Sequence, residues 1–177
     1  ERLKALGLYD DSLIVFTADH GEMNLESGLI DKGVYGHPKA ARIPLIVKLP
    51  GSLRAGTSVD TDVCLMDLAP TFFNLTGVVP YSRLDGEDLM PILTGDETER
   101  CEPFVFEAGW HVAPNPAVAI HGRTDEGHFR YVYNATSDTD ELYELSDETF
   151  QNLIADEAFA DVRIGLRRKL YEIFDSD

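Results

Sequence analysis

Apolar positions in this chain fall into two patterns, unbroken runs near the start and alternating or helical stripes later. Leu13-Ile14-Val15-Phe16 is an unbroken run, and its branched and aromatic residues suit a strand buried on both faces. It stops at Thr17-Ala18-Asp19-His20-Gly21-Glu22. A second run, Arg42 to Leu49, predicts another strand; Pro44 has no ladder donor and fits the start of a strand or an edge. Residues 22–36 between them keep neither period, and Gly21, Gly28, Gly33 and Gly36 punctuate them. An irregular segment of this length beside a strand end reads as a site loop. Ahead of the first strand, Glu1 to Gly7 predicts the last turns of a helix, with Gly7 as its cap.

The rest of the chain changes character. Val59 to Gly77 predicts a helix with Asp67 as N-cap, Pro70 in the first turn and Gly77 at the close. Leu68, Phe72 and Leu75 form its expected core stripe. A short helical piece follows over Asp88 to Gly95, and then a charged, turn-rich link up to Arg100. That link predicts a division into residues 1–98 and 99–177. Beyond it, 104–107, 117–120, 129–134 and 141–145 read as short strands of an antiparallel sheet. From about Asp156, Phe159, Val162, Leu166, Leu170 and Ile173 recur every three or four residues, giving a helix with one apolar face. A sheet covered by one such helix is a stable two-layer arrangement.

Composition narrows the partners. The 177 residues carry 32 acids against 15 Lys and Arg, a net charge of −17. Such a surface repels nucleic acid and anionic membrane, so neither is an expected partner. The acid is spread along the chain and lysine is scarce. This pattern predicts a protein from a salt-rich cytoplasm, the ordinary acidic mesophile being the alternative. The two cysteines, Cys64 and Cys101, show no spacing for zinc. Glu1 carries no initiator methionine or leader, and the chain reads as the carboxyl part of something longer.

The candidate chemistry sits where the first run stops. Asp19 offers hard oxygens and His20 a ring nitrogen to a divalent cation, at the strand end where ligands bind in open parallel sheets. The alternative is an ordinary turn capped by Asp19. Lys32 lies twelve positions after His20, and His37 and Tyr35 stand close behind it.

These residues carry a resemblance. Thr17-Ala18-Asp19-His20-Gly21-Glu22, Lys32-Gly33 with Tyr35, and Arg42-Ile43-Pro44-Leu45-Ile46-Val47 leading to Pro50-Gly51 resemble the sulfatase family of the alkaline-phosphatase-like superfamily. Gly86-x-x-Leu89-x-Pro91-x-Leu93-x-Gly95 and the Glu141-Leu142-Tyr143-x-Leu145 strand are similar to segments of the same family. The resemblance implies an α/β fold. Residues 1–98 would be the carboxyl-terminal part of the alkaline-phosphatase-like α/β/α core, and 99–177 a small antiparallel α+β subdomain. It implies Asp19 and His20 as metal ligands and Lys32 as a catalytic and oxyanion-binding residue. His37, near Lys32 in sequence, is a further candidate for a substrate contact in the same cleft, an exposed loop histidine being the alternative. The implied cation is Ca²⁺, with Mn²⁺ or Zn²⁺ as the alternative that His20 makes reasonable. The implied reaction is hydrolysis of a small sulfated substrate. A phosphodiester or phosphonate monoester hydrolase of the same superfamily is the second reading, and a non-catalytic acidic binding domain the third. The family's nucleophile is a formylglycine made from Cys or Ser in a Cys/Ser-x-Pro-x-Arg motif. Cys101-Glu102-Pro103 lacks the arginine and Cys64-Leu65-Met66 fails outright, so the nucleophile is expected upstream and this chain alone is expected to be inactive.

Overall fold

The computed structural model describes residues 1–25, 28–32, 36–96, 105–110, 114–137 and 139–175. Tyr35, Cys101, His111 and the charged link over 97–100 lie outside the described residues. In chain order the elements are α1 (Arg2–Ala5), β1 (Ile14–Thr17), β2 (Met23–Asn24), β3 (Ile30–Asp31), α2 (Pro38–Ala41) and β4 (Leu45–Lys48), then α3 (Leu68–Thr76), α4 (Met90–Thr94), β5 (Val105–Trp110), β6 (Pro114–Thr124), β7 (Gly127–Asn134), β8 (Glu141–Glu144) and α5 (Ala160–Phe174). They form two compact units, Glu1–Asp19 with Pro44–Glu102, and His20–Ile43 with Pro103–Asp177. The sequence pattern groups residues 20–43 with the first segment, whereas their contacts group them with the carboxyl-terminal residues.

In the first unit β1 and β4 pair antiparallel, from Ile14 opposite Lys48 to Thr17 opposite Leu45. Cross-strand partners share a face, so Phe16 and Ile46 lie together and Val15 and Val47 lie on the other side. Phe16 is 62% and Ile46 63% exposed. Among the described residues this is a two-stranded sheet with one apolar face open, so the burial on both faces expected of β1 is not reached within this chain. The Lys48 ammonium donates to the carbonyls of Tyr9, Asp10 and Ser12 and ties the polar entry to the sheet.

Asp67 stands at the start of α3, but its carboxylate does not cap that helix. It is fully buried and accepts the N–H groups of Cys64 (2.8 Å) and Glu87 (2.9 Å). Thr71 donates to the Asp67 carbonyl and accepts the Leu89 N–H, joining α3 to the approach to α4. The buried point of α3 is this threonine. The expected stripe is corrected, since Phe72 and Leu75 are exposed. The glycines of the Gly86 to Gly95 segment have steric reasons. A Cβ on Gly86 would lie 2.2 Å from the Met66 carbonyl oxygen, and Gly95 closes α4 at φ +88°.

The second unit holds the better-formed core. β5-β6-β7-β8 is an antiparallel meander, with a strand at each of the four expected stretches and β6 running well past its expected bounds of 117–120. Ile120, Phe129, Tyr131 and Leu142 on one face pack against Val162, Leu166 and Leu170 of α5. Gly122 makes room, because a Cβ there would meet Leu166 Cδ2 at 2.3 Å. The opposite face carries Ala117, Ala119, Arg130, Val132 and Tyr143. Gly36 lies on that face, where a Cβ would come within 2.3 Å of Val132 Cγ1. The sheet is thus covered by α5 on one side and by part of the 20–43 segment on the other.

Candidate active site

The 20–43 segment is built on a small hairpin. Met23 pairs with Asp31 and Asn24 with Ile30, so the residues before β2 and after β3 come to one end. Met23, 1% exposed, anchors it. Asp31 takes φ +68°, which aspartate tolerates better than most residues. Its carboxylate accepts the Lys32 N–H at 2.6 Å. This turn brings Lys32 Nζ to 3.1 Å from His20 Nε2.

That contact assigns the histidine tautomer. His20 Nδ1 lies 2.8 Å from the Gly21 carbonyl oxygen, which can only accept, so Nδ1 carries the proton. Nε2 then keeps its lone pair and accepts from the Lys32 ammonium. A backbone carbonyl on the far ring nitrogen is the usual device for orienting a metal-binding histidine. The ring therefore fits a divalent cation through Nε2. One lone pair cannot serve both, so Lys32 would have to leave this hydrogen bond for a cation to be held by the ring nitrogen.

Gly21 ties His20 to α2. Its N–H donates to the Ala40 carbonyl of that helix at 2.8 Å. A Cβ there would sit 1.9 Å from the Lys39 carbonyl oxygen, so no larger residue fits. Asp19 is the last residue of the first unit and its side chain is exposed beyond β1.

His37, the candidate substrate contact near Lys32, is buried and takes no exposed loop position. It is 4% exposed, its Nδ1 accepts the Lys39 N–H at the start of α2, and its ring meets those of Tyr143 and Phe150 edge-on. It caps and packs α2, and a substrate contact would require it to give up that packing.

Sequence reasoning passed over Arg130. It stands in β7, 1% exposed. Its Nε donates to the Gly36 carbonyl and its Nη1 to His121 Nε2, each at 2.6 Å. Burial lowers its pKa to about 10, opposed by the nearby Glu141 and Tyr143, so it stays a cation at neutral pH. The available signal was a charge in the middle of Phe129-Arg130-Tyr131-Val132-Tyr133.

Known proteins share both pattern and fold. The family profile described as N-sulphoglucosamine sulphohydrolase, C-terminal, matches residues 25–176. Choline-sulfatase of Rhizobium meliloti (strain 1021) is 34% identical over 149 residues, 81% of this chain and 27% of that protein. The Escherichia coli (strain K12) sulfatase YidJ is 31% identical over 172 residues, 94% of this chain and 33% of that protein. The solved structure of a 2-O GAG sulfatase superposes with a TM-score of 0.78 at 23% identity, covering 98% of this chain and 39% of that one. The chain belongs to the sulfatase family and corresponds to its carboxyl-terminal portion, in the alkaline-phosphatase-like α/β fold. It spans a quarter to two-fifths of the length of these three proteins. No helix among the described residues is long and apolar enough to cross a membrane.

Proposed function

We propose that the complete protein hydrolyses sulfate esters with a divalent cation, and that this chain supplies Asp19, His20 and Lys32 to the reaction. The observation that carries the reading is the 3.1 Å contact between Lys32 Nζ and His20 Nε2. Two residues selected from the sequence for complementary roles meet on one hairpin end.

Asp19 and His20 would hold the cation, Ca²⁺ on the family resemblance and Mn²⁺ as the softer alternative. Bound there, it would polarise the sulfate oxygens and offset their charge. His20 presents Nε2 because Gly21 holds its other nitrogen. Lys32 supplies an ammonium for the leaving oxygen. As the S–O bond breaks, charge moves onto that oxygen, and a charge-assisted donor gains strength with it. Burial of Met23 and the closure of Gly21 on α2 keep the two side chains on one rigid support. The nucleophile, a formylglycine on this reading, comes from outside the 177 residues.

The test is an assay of the complete protein with 4-nitrophenyl sulfate and with a phosphodiester analogue, after chelation and after return of Ca²⁺ or Mn²⁺. Metal-restored turnover of the sulfate ester, well above that of the phosphodiester, is expected. Preference for the phosphodiester would establish the second superfamily activity instead.

A further inference from the structure

Arg130 is a buried charge to which sulfate ester hydrolysis by Asp19, His20 and Lys32 gives no role. The β7 register sets it between His121 and Tyr143, on the sheet face turned away from α5. Its planar group lies 4.9 Å from the Phe106 ring centroid. Nη2 finds no hydrogen-bond partner among the described residues. Burying a guanidinium with a donor unmade is costly, and a buried apolar side chain of similar volume avoids that cost. An apolar side chain cannot hold a backbone carbonyl. Arg130 does so at Gly36, 94 positions away in sequence.

From that carbonyl the contacts run without a gap to His20. Gly36 leads through His37 into α2. The Ala40 carbonyl of α2 accepts the Gly21 N–H, and the Gly21 carbonyl accepts His20 Nδ1–H. Gly36 and Gly21 both lie where a Cβ would clash, the first against Val132 and the second against Lys39. Gly21 and the stretch from Gly36 to Ala41 therefore have little freedom to shift as long as Gly36 is held. We propose that Arg130 is a positioning residue for the His20–Lys32 half-site, acting through Gly36 and α2 to fix the segment on which both side chains stand. The inference rests on the reading of Lys32 as the contact to the leaving oxygen.

The experiment is a double-mutant cycle in the complete protein, with Arg130→Met, Lys32→Ala and the pair, on aryl sulfates graded by leaving-group pKa. A displacement of about 1 Å in such a group costs about 10²-fold, so Arg130→Met should lower kcat about tenfold to hundredfold with little change in KM. Its loss should deepen for the more basic leaving groups, as that of Lys32→Ala does. In the Lys32→Ala background, removing Arg130 should then cost little more. Arg130→Lys, which keeps one donor for Gly36, should recover part of the rate. Losses that simply multiply, equal across the substrate series, would overturn the proposal. Amide hydrogen exchange gives a readout independent of turnover. Residues 20–43 should exchange faster in Arg130→Met while α5 keeps its protection, and unchanged exchange over 20–43 would also overturn it. Full activity in Lys32→Ala would instead refute the reading of Lys32, and the cycle is then run against His20→Ala with the same criterion. Should Arg130→Met not accumulate as folded protein, Gly36→Ala disturbs the same contact from the loop side, and the same coupled loss is required of it.

Discussion

A ring nitrogen binds a cation only if it keeps its lone pair, and at His20 the Gly21 carbonyl decides which nitrogen does. The role proposed for Lys32 starts from the same geometry, since its ammonium is held beside that lone pair. Lys32→Ala should lower kcat and kcat/KM together, because its charge acts mainly in the transition state. Losing one such donor costs roughly 3–4 kcal/mol, about 10²–10³ in rate. The loss should shrink as the leaving alcohol becomes more acidic, since less charge then needs a partner; an aryl sulfate series measures this, and equal losses throughout would contradict the role. Asp19→Ala should abolish turnover at ordinary metal concentrations with the far-UV circular dichroism unchanged. Near wild-type turnover would remove Asp19 from the ligands. Asp19, His20 and Lys32 stand out as candidates in the sequence because each is a chemically committed type at the end of an apolar run or in a motif. The packing of His37 and the contacts of Arg130 do not. What buries His37 is Tyr143 and Phe150, and what Arg130 holds is Gly36, and no local pattern encodes contacts of such separation.

At the level of elements, alternation served best where one face is buried and the other is too. The meander strands and α5 could be read because Phe129 and Tyr131 alternate with Arg130 and Val132, and because Val162, Leu166 and Leu170 keep helical spacing. The stripe of α3 and the double burial of β1 could not, because an apolar run states only that a side chain tends to be covered, and among the described residues nothing covers Phe16, Phe72 or Leu75 well. Tyrosines on both faces of the meander also make a prediction about alkali. The Tyr143 hydroxyl is pushed well above its ordinary range, first by burial and then by its 2.5 Å bond to Glu141. Tyr131 is shifted the same way by burial and by Asp140. A raised folded-state value means that the native chain keeps protons that the unfolded chain loses. The stabilisation from these tyrosines is full below about pH 10, the unfolded value, and is lost as pH rises through the folded one. Tyr143→Phe should therefore lower stability near neutral pH by about 1 kcal/mol through the lost hydrogen bond, and unfold with a shallower pH dependence above pH 10 than the wild type. Denaturant titrations at a series of alkaline pH values compare the two slopes, and parallel slopes would contradict the assignment.

For the molecule as a whole, charge and completeness set the expectations. The chain alone should hydrolyse neither 4-nitrophenyl sulfate nor a phosphodiester analogue with Ca²⁺ or Mn²⁺. It holds no Cys/Ser-x-Pro-x-Arg motif, and a covalent mechanism needs an activated nucleophile in place. Turnover above that of a matched Asp19→Ala chain would force a residue of this chain into that role. The second expectation concerns salt. With 32 acids against 15 Lys and Arg, the folded state holds like charges closer together than the unfolded chain does, and this self-repulsion opposes folding. The ion pairs that could offset it include Arg167 with Asp140 at 3.9 Å and Arg168 with Glu172 at 3.8 Å, the second between exposed side chains. Exposed pairs of this kind contribute about 0–1 kcal/mol, too little to cancel a net −17. Added salt shortens the screening length from about 10 Å at 0.1 M to about 3 Å at 1 M. Repulsion between surface carboxylates fades over that range, whereas the buried contacts around α5 are indifferent to it. The melting temperature of the complete protein should accordingly climb steeply with KCl up to about molar concentration, and a variant with exposed acids such as Asp161 and Glu172 changed to Lys should depend on salt less. A flat profile in KCl would show that the acidic surface is not adapted to a salt-rich interior.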